Sequence, residues 1–123
     1  MKRNPKNYCL ICSERCKNNP ANLCSLHYRI KEANDYGDEY SIDSFKSTNS
    51  RHRYQNVRNH AHRVVDLLDR KRECSVCGYS KYVELCHIKG ISTYDSSTKL
   101  SIVNHPDNLI YLCPNHHWEL DNK

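Results

Sequence analysis

Four short cysteine and histidine pairs constrain this chain more than any other feature. Cys9 and Cys12 enclose Leu-Ile, and Cys24 and His27 enclose Ser-Leu eleven residues later. Cys74 and Cys77 enclose Ser-Val, and Cys113 and His116 enclose Pro-Asn after a further 35 residues. Both halves therefore read Cys-x2-Cys … Cys-x2-His. A two-residue gap lets a tight turn aim both side chains at one ion. Four such donors close a tetrahedral Zn²⁺ site, with about 2.3 Å to sulfur and 2.0–2.1 Å to nitrogen. The spacing predicts two structural zinc sites, one from Cys9, Cys12, Cys24 and His27 and one from Cys74, Cys77, Cys113 and His116. Cys16 competes for the first site, against its plainer reading as a spare thiol in a short loop.

Metal explains how so polar a chain holds together. Only 37% of its 123 residues are hydrophobic and Phe occurs once, so an apolar core alone would be thin. No apolar run follows the basic start MKRNPKNY, and no stretch approaches a membrane span. A cytoplasmic, reducing environment is expected, in which Cys-x-x-Cys pairs point to metal rather than to disulfides.

Along the chain, residues 1–30 read as a zinc knuckle ending in the helix-prone SLHYRIKEA. Residues 31–49, with Glu32, Asp35, Asp38, Glu39 and Asp43, read as an acidic polar connector. From Ser50, Val57, Ala61, Val64, Val65 and Leu68 recur at helical spacing with no Gly or Pro between them, predicting a helix over 50–72. Segment 51–72 holds seven Arg/Lys against two Asp, which accounts for the whole net charge of +5. Such a run can be a solvated helix face, but most of it is Arg (Arg51, Arg53, Arg58, Arg63, Arg70, Arg72), which grips phosphate in a two-pronged way. Interspersed His52, His60 and His62 would add charge at lower pH. Nucleic acid is the partner this pattern favours.

Beyond that helix, Lys81 to Ile88 alternates like a strand and turns at Lys89-Gly90. A polar loop follows, then the short apolar strand Leu109–Cys113, and Pro114 stands where a helix's first turn tolerates it. In CPNHHWELD two histidines stand in succession, about 100° apart on a helix, and so are expected to do different jobs.

CSVC, ELCHIKGI and HPDNLIYLCPNHHWELD together resemble the HNH nucleases, over roughly residues 50–121. The resemblance implies a small, zinc-stabilised α+β fold, a ββα-metal finger (73–123) preceded by the basic helix (50–72) and the N-terminal knuckle. It implies a metal-dependent endonuclease that hydrolyses DNA phosphodiester bonds, leaving 5′-phosphate and 3′-hydroxyl ends. His87 would be the general base, since an imidazole pKa near 6.5 suits neutral pH. Asn108 would tie the loop back and orient that histidine. His117 would bind one catalytic divalent ion, Mg²⁺, Mn²⁺ or Zn²⁺. Asp121, four residues on, either completes that ion's ligands or is a solvated helix end. Where the family commonly has a metal-binding His or Asp, this chain has Cys86. A thiolate there would favour a softer ion such as Zn²⁺, unless Cys86 is only a small buried residue. His105 reads as a turn residue, and Trp118 and Leu120 as core anchors. The rivals to a nuclease are a catalytically silent zinc module that binds nucleic acid and a zinc-based adaptor. Neither needs His87, Asn108 and His117 in this order. With one catalytic centre per chain cutting one strand at a time, a clean double-strand break would suggest a homodimer.

Overall fold

A computed structural model describes residues 8–17, 21–45 and 50–122, with side chains of the second long helix described from Tyr54 onward. Helix α1 (Ser25–Glu39) begins at Cys24, whose Sγ accepts from the His27 N–H at 3.5 Å. Its interior glycine would ordinarily cost about 1 kcal/mol relative to alanine. Here Gly37 is buried, and a Cβ in its place would meet the His60 ring and the Ser101 main chain at 3.1 Å. Ala33 lies one turn earlier and is also buried, so a small-residue face lets neighbouring helices approach closely.

Helix α2 (Ser50–Leu67) turns Val57, Ala61 and Val65 inward, as the helical spacing predicts. It stops five residues short of the expected end. Asp69 takes a left-handed conformation at φ 54°, which leaves Leu68 43% exposed and redirects the chain. Residues 31–49, expected as a connector, are instead part of the packed fold as far as they are described. Residues 31–39 continue α1, and Ile42–Phe45 form a 3₁₀ turn tied by Ile42 N–H to Thr98 O and Asp43 N–H to Ser96 O.

Strands β1 (Glu84–His87) and β2 (Leu109–Leu112) pair antiparallel, Glu84 opposite Leu112 and His87 opposite Leu109. Between them lie a 3₁₀ turn at Ile91–Thr93 and the short helix α3 (Leu100–Val103). Helix α4 (Pro114–Asp121) follows β2 after one residue and packs on both strands. The result is a small α+β fold with a two-stranded sheet. One apolar cluster joins Ile42, Val57, Ile91, Leu100 and Val103, and a second joins Ala61, Val65, Leu109 and Tyr111. The third is made largely of sulfur: Cys74, Cys86 and Cys113 with Leu112. Among the described residues no helix is long and apolar enough to cross a membrane.

Candidate metal centres and active-site cleft

The two expected ligand sets come together as two groups. Cys9, Cys12, Cys24 and His27 form one, Cys74, Cys77, Cys113 and His116 the other, with donor atoms within 4.8 Å of one another in each. In the first, His27 Nδ1 lies 3.4 Å from Cys9 Sγ and 3.1 Å from Cys24 Sγ. In the second, His116 Nδ1 lies 3.3 Å from Cys74 Sγ and 3.2 Å from Cys113 Sγ. The Cys12–Cys24 and Cys77–Cys113 sulfurs are 3.8 and 3.9 Å apart. A tetrahedron with zinc–sulfur arms of 2.3 Å has an edge of about 3.8 Å, so both groups have the size and donors to hold zinc. Cys16 stands outside the first group.

Burial pushes the Cys9 and Cys74 thiols up, but main-chain hydrogen bonds in each turn outweigh it and bring both down to about 6. A thiol in that range is largely thiolate at neutral pH, the form that binds metal. Burial pushes Cys86 in the same direction, and with Glu84 and Asp121 nearby its thiol rises to about 12. It lies 3% exposed in the third core cluster, its Sγ 3.4 Å from the Glu84 carbonyl. This favours the small buried residue over the thiolate ligand.

His87, His117, Asp121 and Arg58 line one open cleft of about 310 Å³, together with Cys86, Tyr54 and Ile91. The histidine pair in α4 divides as its 100° separation requires. His116 turns to the cysteines, while His117 holds Glu84 Oε1 at 3.1 Å through Nδ1 and Asp121 Oδ2 at 3.2 Å through Nε2. Asp121 is thus tied to the histidine rather than idle at the helix end. Glu84 escaped the sequence analysis. Its place two residues before Cys86 on a strand, hence on the same face, was the available signal.

His87 accepts nothing at Nε2. That nitrogen donates to Asn104 Oδ1 at 2.6 Å, since an amide oxygen can only accept. Burial lowers the His87 pKa below the usual histidine value, more than the bond to Asn104 raises it, and Arg58 and His62 lower it further. Asn108 does tie the loop: its Oδ1 accepts from Lys89 N–H at 2.8 Å, and its Nδ2 donates to Val103 O at 2.8 Å and to Lys89 O at 3.2 Å. It secures the chain just after His87, whereas the ring itself is held by Asn104, which the sequence analysis missed.

The arginines of segment 51–72 separate by role. Arg58 reaches the cleft. Arg63, also exposed, acts on Tyr36 and His60 on the α1 side and does not line the cleft. Arg70 donates to Leu109 O and Pro106 O, both at 2.6 Å, and so braces the fold, whereas Arg72 forms an exposed ion pair with Asp66 at 2.9 Å. The side chains of Arg51 and Arg53 lie outside the described residues. His60 is 5% exposed and therefore adds no surface charge. His105 accepts from Asp107 N–H at 3.1 Å and acts as the expected turn residue. Trp118 is 66% exposed, contrary to its expected place in the core, because α4 points that position away from the sheet. Leu120 packs against the cysteine-rich cluster as expected.

Residues 74–123 match the family model for HNH endonuclease. The matched segment thus holds the second Cys/His group, both strands, His87, His117 and Asp121, while Arg58 enters its cleft from outside. No curated protein and no solved structure matches the chain.

Proposed function

We propose that this protein is a metal-dependent HNH endonuclease acting on DNA, with β1, β2 and α4 as its ββα core and a structural zinc in each Cys/His group. The observation that carries this is the meeting of His87, His117, Asp121 and Arg58 in one cleft, mostly within the matched segment. His87, with Nε2–H committed to Asn104, uses Nδ1 to take a proton from water as the water oxygen bonds to phosphorus. The bond from phosphorus to the leaving sugar oxygen breaks as that bond forms. The lowered His87 pKa keeps the ring neutral at neutral pH, as a base must be.

One imidazole flanked by two carboxylates suits a divalent ion such as Mg²⁺, Mn²⁺ or Zn²⁺. His117 would give one ring nitrogen to it and keep the other on a carboxylate, which fixes the ring, with Glu84 and Asp121 as the available partners. Such an ion, when bound, polarises the phosphate and stabilises the leaving oxygen. The buried neutral Cys86 thiol is not among its ligands in this reading. Arg58 grips a phosphate oxygen pair at the cleft wall.

The test is nicking of supercoiled plasmid by the full chain with Mg²⁺, Mn²⁺ or Zn²⁺. His87→Ala should slow nicking by about 10²–10⁴-fold while DNA affinity and zinc content stay as in the wild type. Equal cleavage by that variant overturns the assignment. DNA binding without nicking by the wild type under any of the three ions would instead indicate the silent module.

A further inference from the structure

Behind His87 runs a buried line of hydrogen bonds that crosses three segments of the chain. His87 Nε2 meets Asn104 Oδ1 at 2.6 Å. Asn104 Nδ2 meets both Val57 O and His60 Nδ1 at 2.9 Å. His60 Nε2 meets Ala33 O at 2.9 Å. Asn104 is 2% exposed and His60 5%, so water does not compete for these bonds.

Two main-chain carbonyls fix the direction of the whole line, because a carbonyl can only accept. Ala33 O requires the hydrogen of His60 to sit on Nε2, which leaves Nδ1 bare to accept from Asn104. Burial lowers the His60 pKa and holds that ring neutral. Val57 O requires the amide nitrogen of Asn104 on its own side, and a flipped amide would set two acceptors against each other. Both amide hydrogens are then used, on Val57 O and His60, so the amide oxygen must face His87. Gly37 allows the arrangement, since a Cβ there would press on the His60 ring at 3.1 Å.

We propose that Asn104 is the positioning residue for His87, fixing its Nε2–H tautomer and ring orientation, with His60 as the backstop that locks the amide. The ring that lines the cleft is thereby left with a bare Nδ1. The catalytic consequence rests on the nuclease reading above; the tautomer assignment does not.

Two-bond ¹H–¹⁵N correlation spectra of the zinc-loaded full chain read each histidine tautomer directly. His87→Gln and His60→Gln assign the two signals by their disappearance. In the wild type at neutral pH, both His87 and His60 should be Nε2–H tautomers, and an Nδ1–H tautomer at His87 overturns the proposal. Asn104→Leu removes the acceptor, so His87 should become a tautomer mixture. Its kcat for plasmid nicking should fall by about 10²-fold with KM unchanged, because ground-state contacts with DNA are untouched. A wild-type tautomer and wild-type kcat in Asn104→Leu sink the proposal. If that variant does not fold, the wild-type spectrum alone decides. Should His87→Ala still cleave while the wild-type spectrum shows the expected tautomers, the nuclease reading fails and the positioning of His87 stands.

Discussion

The two Cys/His knuckles repeat one another bond for bond, yet they sit in the molecule very differently. In each, the first cysteine's carbonyl accepts from the residue four positions on, Ser13 N–H to Cys9 O at 3.0 Å and Gly78 N–H to Cys74 O at 2.8 Å. In each, that cysteine's own N–H reaches the next residue's carbonyl, Glu14 or Tyr79, at 2.8 Å. The second knuckle, however, is core. Cys74 and Cys113 pack with Cys86 of β1 and Leu112 of β2, and the next residue after His116 is the cleft's His117. None of the first knuckle's described residues joins any of the three apolar clusters, and it opens instead into α1. One device thus serves as the centre of one region and as a satellite of another.

Removing one ligand from each should expose that difference most strongly. Structural zinc in such sites supplies about 10–16 kcal/mol of apparent binding free energy, as much as the entire stability of an ordinary domain. Cys74→Ser should therefore lose one of two zinc ions, unfold the sheet region and abolish nicking. Cys9→Ser should also fall from two zinc ions to one, but keep most of its nicking rate. Metal analysis beside a plasmid assay checks both. Equal loss of activity in the two variants would mean that the first knuckle is as integral as the second.

Within the second knuckle, the neighbouring histidines sharpen the contrast at single-residue scale. His116→Ala should release a zinc ion and melt at lower temperature, taking activity down with the fold. His117→Ala should retain both zinc ions and lose nicking, since it deprives Glu84 and Asp121 of the imidazole they hold. Zinc loss from the His117 variant, with zinc kept by the His116 variant, would show the roles reversed.

What could be foreseen from sequence follows the same division. The metal ligands stand in local pairs, and pair spacing is a local geometric constraint, so both groups were legible. The stripe Val57, Ala61, Val65 and the separation of His116 from His117 were legible because helical periodicity is local too. Asn104 was not, because its partners lie 17, 44 and 47 residues away and an Asn in a polar loop carries no periodic signal. For the same reason Arg70 passed for a phosphate ligand: nothing near it in sequence reveals the carbonyls of Pro106 and Leu109. Trp118 misled in the opposite way, since size and apolarity argue for burial only when the helix faces inward at that position.

The smallest difference between the knuckles is the residue after the second cysteine. Both turns need a left-handed residue there: Ser13 has φ 62° and Gly78 has φ 78°. For an L-residue that conformation costs about 1–2 kcal/mol, whereas glycine adopts it freely. Around Gly78 a Cβ would meet nothing within 4 Å, so Gly78→Ser tests backbone conformation with no packing change. It should destabilise by about 1 kcal/mol, read as a lower melting temperature with two zinc ions retained. Ser13→Gly should move the other way by a similar amount, because glycine's greater freedom in the unfolded chain offsets about 0.5–1 kcal/mol of the conformational cost in both substitutions. The shift should nonetheless be harder to see, since a satellite knuckle loosens without dragging the sheet with it. Measured by zinc competition with a chelator, Ser13→Gly should hold the first ion more tightly, and Gly78→Ser the second more weakly. If both substitutions weaken their sites equally, the serine hydroxyl in the first turn supplies a compensation that the glycine turn lacks, and the two knuckles are not the same device.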